Sequence, residues 1–170
     1  MQRRHLLRLG LAAGATLAIA GCGFRLRGYD QPLVSLDALA LAGPETALRR
    51  LVARRLEGAG TRVDDDAARV LNLGNETFSE RRLGGLDSGP RELELTLEVP
   101  FSVQRRADGA YLLDQQRLAV SERLTVNDDE LLAQDAEREA VRERLRGEAT
   151  RQLLDRLRAL GEGTAAAERS

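Results

Sequence analysis

From Leu93 to Val103 the chain alternates, with Pro100 in one of the polar places. Leu93, Leu95, Leu97, Val99, Phe101 and Val103 are apolar, while Glu92, Glu94, Thr96, Glu98 and Ser102 between them are polar. A period of two places one set on each side of an extended strand, so this stretch predicts a strand with one dry face and one wet face. Such strands belong to antiparallel sheets covered on a single side. Asp108-Gly109 follows as a hairpin turn, and the segment from about Tyr111 to Val126 returns with Leu118, Val120, Leu124 and Val126 in phase. A long hairpin therefore dominates the fold. Pro100 interrupts the first strand and has no N–H to give a ladder, which predicts an edge or a bulge there.

Leu33 to Leu41 is apolar and ends at Gly43-Pro44, as a buried strand would. From Pro44 to Glu57, Leu48, Leu51, Val52 and Leu56 recur at helical spacing, with Pro44 suited to the first turn and Gly58 and Gly60 to the end. The other face of this helix carries Arg49, Arg50, Arg54 and Arg55, a solvated face. A second strand is expected from about Arg69 to Phe78, and a Gly-rich loop from Glu80 to Pro90. The last element is a helix from about Asp129 to Leu160, with Leu132, Ala136, Ala140, Val141, Leu145, Ala149, Leu153, Leu157 and Leu160 on one stripe and Asn127 or Asp128 as its cap. Beyond Gly161 the residues are small and polar, and a disordered tail over 161–170 is expected. The order is β-α-β-β-β-α: an α+β fold with a four-stranded mixed sheet, two helices on one face, and the first two strands parallel through a right-handed crossover.

The N-terminus carries a different kind of signal. Arg3, Arg4 and Arg8 precede an apolar stretch from Leu9 to Ile19 that is too short to span a bilayer stably, and Ile19-Ala20-Gly21-Cys22 then forms a lipobox. Residues 1–21 are thus expected to be a signal peptide removed before Cys22, which becomes the lipidation site. The Arg3-Arg4 pair also fits a twin-arginine export signal, so the export route stays open. Several acyl chains on one cysteine anchor a protein stably where one would not. Gly23, not Asp, follows the cysteine, which leaves the outer membrane as destination and the periplasmic side as compartment. Residues 22–32 are expected to be a lipidated tether and 33–160 a single domain.

Composition narrows the chemistry. Cleavage takes three arginines and no acid, leaving 23 basic against 27 acidic residues, a net −4 that argues against nucleic acid as a partner. His5 is the one histidine and Cys22 the one cysteine, and the first is removed while the second is acylated. Imidazole catalysis, Ser-His-Asp and Cys-His nucleophiles and histidine metal sites all drop out, and no intramolecular disulfide is possible. Asp64-Asp65-Asp66 and Asp128-Asp129-Glu130 lack the ligand spacing and glycine of a calcium loop and read as solvated turns. No catalytic residue, metal or cofactor is implied, and the balance favours binding over catalysis. Independent of any family likeness, two readings stay open: a periplasmic lipoprotein adaptor of an envelope complex, or a lipid-anchored hydrolase using carboxylates.

The lipobox running into Cys22-Gly23-Phe24-Arg25-Leu26-Arg27-Gly28, the element order, and Leu132-Ala133-Gln134-Asp135-Ala136-Glu137 opening the last helix together resemble the LptE (RlpB) family of lipopolysaccharide-assembly lipoproteins. The likeness covers nearly the whole mature chain. It implies an outer-membrane lipoprotein that plugs the LptD β-barrel translocon in a one-to-one complex, assists its assembly and binds lipopolysaccharide. It also implies ligand contacts from basic residues in the loop before the alternating strand and near the start of the last helix. In that loop this chain has Arg81 and Arg82, with Arg91 at its far edge, whose guanidinium groups can grip phosphates in bidentate fashion. At the helix start the matching position is Gln134, which is neutral, and the turn at Arg105 and Arg106 is the alternative site.

Overall fold

The structure is a computed structural model and describes residues 36–84, 91–126 and 131–167, all within one compact unit that begins at Pro32. Its elements are β1 (Ala38–Ala42), α1 (Ala47–Gly58), β2 (Arg62–Val63), β3 (Arg69–Leu73), β4 (Thr77–Arg82), β5 (Arg91–Arg105), β6 (Tyr111–Val126) and α2 (Leu131–Ala167). β1 pairs in parallel with β2 on one side and β3 on the other, while β5 runs antiparallel to β3, β4 and β6. The mixed sheet and two helices match the expected class. The lipobox, Cys22 and the tether lie outside the described residues, as do Asn127, Asp128 and the acidic run that follows.

The sheet has six strands and not four, for two reasons. Arg62–Val63 adds a two-residue edge beside β1, too short to show a period in the sequence. The expected strand over 69–78 is two strands, because β3 and β4 lie end to end along the same side of β5. β3 pairs with Phe101–Arg105 and β4 with Leu93–Glu98, and the chain steps out between them at Gly74. Pro100 sits at that junction. Its carbonyl accepts from the Gly74 N–H at 2.8 Å, and its missing N–H falls where the ladder changes partner, so a proline is tolerated inside a 15-residue central strand. The register against β6 shifts just beyond, between Phe101 and Gln104, giving the expected bulge. The turn that follows holds Gly109 at φ 70°.

One core fills the space between the sheet and the helices. Leu95, Leu97, Val99, Phe101 and Val103 of β5 join Leu118, Val120, Leu124 and Val126 of β6, Leu48, Val52 and Leu56 of α1, and Val141, Leu145, Ala149, Leu153 and Leu157 of α2. Each such leucine removed from water contributes roughly 1.5–3 kcal/mol before the entropy of ordering is charged against it. The stripe on α2 is shorter than expected, since Ala136 is exposed. The helix also runs past Gly161 to Ala167, so that part of the expected disordered tail is helical. Ala165, Ala166 and Ala167, the best helix formers, extend it despite two glycines. No described helix is long and apolar enough to cross a membrane.

α1 begins later than expected, at Ala47. Thr46 is its N-cap and its hydroxyl accepts from the Arg49 N–H at 3.1 Å, leaving Pro44 ahead of the helix. Gly60 at φ 87° carries the chain out of the far end, where an L side chain would be strained.

Candidate functional site

The opposite face of the sheet is open. Glu94, Thr96, Glu98 and Ser102 of β5, Asn72 of β3, and Arg117, Ser121 and Arg123 of β6 face away from the helices, as the alternation requires. Glu92 is exposed, and Glu98 lies 3.7 Å from Arg117 across the β5–β6 pair. The wet face read from the glutamates is thus a wet face in the fold.

Arg81 and Arg82 are not loop residues. They end β4, paired opposite Glu94 and Leu93, because β-pairing with the alternating strand continues through the arginines. Consecutive strand positions point to opposite sides. Arg81 lies on the open face and donates to Glu94 at 2.8 Å. Arg82 follows Phe78 and Glu80 on the helix side, where Phe78 meets α2 and Glu80 lies 3.5 Å from Arg138. Arg91 opens β5 opposite the buried Val126, so it shares the helix side with Arg82. The structure therefore brings Arg82 and Arg91 to one side of one end of the sheet and separates Arg81 from both. Gln134, near the start of α2, is buried at 8% exposure.

The alternative pair is spoken for. Arg105 donates to Asp108 at 2.9 Å, and Arg106 donates from Nε to the Ala67 carbonyl at 2.9 Å and from its terminal nitrogen to the Asp65 carbonyl. That second arginine pins the 64–67 turn to the hairpin. Within the turn the Asp64 carboxylate accepts from the Asp66 N–H at 3.0 Å, so the acidic run is a self-bonded turn. Among the described residues no three His, Cys, Asp or Glu side chains converge as a metal site would need.

Two features were not foreseen. Glu76, in the step between β3 and β4, reaches both helices. Its Oε2 accepts from Arg146 Nε of α2 at 2.7 Å and its Oε1 accepts from the Leu48 N–H of α1 at 2.7 Å. Burial works against the Arg146 charge, but the hydrogen bond and charge of Glu76, helped by Glu143, outweigh it and raise the Arg146 pKa. Arg146 also lies over the Phe78 ring, 5.1 Å from its centre. The second feature is a groove of about 600 Å³ between α1 and α2 over Gly58 and Gly147, lined by Arg54 and Arg55 and by Arg151 and Arg158, which pair with Glu148 and Asp155 in the same lining. Arg54 and Arg55 belong to the face read as solvated. Neither feature leaves a period in the sequence, since each joins residues far apart along the chain.

Comparison with known proteins gives a consistent result. Residues 34–157 match the family model described as LptE, lipopolysaccharide-assembly. The LPS-assembly lipoprotein LptE of Pectobacterium atrosepticum is 32% identical over 163 residues, covering 91% of this chain and 86% of that protein. That of Photorhabdus laumondii is 31% identical over 160 residues, with the same coverage of 91% and 86%. Among solved structures, lipoprotein B from Nitrosomonas europaea superposes with a TM-score of 0.68 at 22% identity, covering 82% of this chain and 93% of that one. A minor lipoprotein from Acinetobacter baumannii gives 0.61 at 18% identity, covering 72% and 91%. These two likenesses speak for the fold.

Proposed function

Since the chain belongs to the lipopolysaccharide-assembly (LptE) family, we propose that it is lipidated at Cys22, held at the outer membrane on the periplasmic side, and seated in the lumen of the LptD β-barrel as its plug and assembly partner. There it binds lipopolysaccharide for delivery to the outer leaflet and performs no catalysis. The observation that carries this reading is the match over 34–157, nearly the whole folded domain, with relatives named for lipopolysaccharide assembly. The open, polar sheet face supports it, because a plug in a wet lumen must present surface that stays hydrated or meets polar partners. In this reading Arg82 and Arg91 are the phosphate-facing residues, with Arg81 held to Glu94 on the other side.

Two fractionations test it. Affinity capture of the lipidated chain from detergent-solubilised outer membrane, followed by mass spectrometry, should recover LptD. Recovery of a different envelope complex in its place would favour the adaptor reading. The Cys22→Ser chain should leave the membrane fraction when the barrel is absent, and its persistence there would refute the anchor.

A further inference from the structure

Where β5 changes neighbours, the open sheet face holds a depression of about 340 Å³ lined by Asn72, Gly74, Ser102, Gln104, Tyr111 and Gln115 among others, and no side chain lining it is charged. In a chain that is 31% charged this is a local exception, and it contrasts with the Arg81–Glu94 and Arg117–Glu98 pairs on the same face. The depression is built in. A Cβ at Gly74 would stand 2.5 Å from Pro100 Cγ, so only glycine lets the two strand ends approach this closely. Asn72 Nδ2 donates to Ser102 Oγ at 3.3 Å and to Gln104 Oε1 at 3.0 Å, and Ser102 is only 7% exposed. One amide thus orients a hydroxyl and a second amide. The Gln104 amide N–H groups, the Ser102 hydroxyl hydrogen and the Asn72 carbonyl oxygen then have no partner among the described residues.

Beside them stands Tyr111, brought opposite Gln104 by the two register shifts. It is the exposed large hydrophobic among the described residues, at 56%. The chain has only five aromatic residues, and of the three described ones Phe78 and Phe101 pack against arginines of α2. Leaving the third in water on a polar face needs a reason. An uncharged sugar ring provides one: its C–H face stacks on an aromatic ring, and its neighbouring hydroxyls, each donor and acceptor, match amides and a hydroxyl held in place. A phosphate would need a cation here, and an apolar segment would strand the amides.

We propose that this depression is a carbohydrate-recognition site that takes uncharged sugar units of lipopolysaccharide, with Tyr111 as the stacking platform and Gln104, Ser102 and Asn72 as the hydroxyl-binding groups. The choice of lipopolysaccharide as the sugar's source rests on the functional reading above. The site and its chemistry do not.

The test uses the full lipidated chain in detergent. It is titrated with the oligosaccharide freed of lipid and phosphate from lipopolysaccharide, and separately with lipid A lacking the outer sugars. The wild-type chain should bind the oligosaccharide, and Tyr111→Ala and Gln104→Leu should each weaken it at least about fivefold, the worth of one neutral hydrogen bond. Lipid A affinity should stay within about twofold in both variants. Absence of oligosaccharide binding by the wild-type chain at millimolar concentration would overturn the proposal, as would equal binding by both variants with unchanged melting. If the variants lose capture of the barrel yet bind the sugar as wild type does, the patch is a barrel contact and the proposal fails. A wild-type chain that binds the sugar but captures no barrel would sink the functional reading and leave this site standing.

Discussion

Arg146 and Glu76 are 70 positions apart and meet at 2.7 Å, with side chains only 14% and 9% exposed. The pair is a three-way joint, because the second oxygen of the same carboxylate holds the Leu48 N–H at the start of α1. One glutamate thus fixes both helices to the point where the sheet steps from β3 to β4. Negative charge at a helix N-terminus adds to its hold on α1.

Removing Glu76 should therefore be costly. Glu76→Ala leaves the Arg146 guanidinium to Glu143 at 2.6 Å and Glu139 at 3.4 Å and frees an amide of α1, a loss of about 2–3 kcal/mol, below that of a buried charge stripped of every partner. Glu76→Gln keeps the amide's acceptor and should lose about half of that. Urea unfolding measures both. A loss under about 1 kcal/mol for the alanine variant would show that the joint is not a stabilising one.

Two glycines should respond in opposite directions. Gly147 lies inside α2 with nothing within 4 Å of where a Cβ would stand, so Gly147→Ala should stabilise by about 0.5–1 kcal/mol. Gly43 has φ 112°, and a Cβ there would meet the Leu73 carbonyl oxygen at 1.9 Å, so Gly43→Ala should cost more than about 2 kcal/mol. Thermal melting of the two variants gives both signs directly.

The long hairpin is legible in the sequence because β5 buries one side only, so its alternation survives intact. α1 is legible for the same reason at a period near four. The break at Gly74 is not: Phe78 falls out of phase with Leu71 and Leu73, which marks an irregularity but does not tell a bulge from a step between two strands, and only the far-off Pro100 explains why the chain steps out. Pro100 itself signals a disturbance, but its role as the junction of two neighbours depends on pairing that no local pattern encodes. The arginines at 81 and 82 are hidden in the same way. A Gly-rich stretch suggests a loop, while pairing with Leu93 and Glu94 draws both into a strand and sets them on opposite sides.

That separation gives a discriminating prediction for lipopolysaccharide binding. Arg82→Ser removes a cation on the helix side, beside Arg91, and should weaken binding about tenfold, the value of one charged hydrogen bond. Arg81→Ser removes a residue already held by Glu94 on the other face and should change affinity less than about threefold. Titration of each folded variant with lipopolysaccharide decides it. Equal losses would mean that the ligand reaches both faces at this end.

The most direct test of the account is the mass of the native assembly extracted from outer membrane in mild detergent. A plug enclosed by a barrel should bury more than the standard of about 1,600 Å² and survive extraction. The predicted result is the mass of one LptD barrel plus one copy of this chain. A free monomer, or an assembly that contains this chain without a barrel, would contradict it.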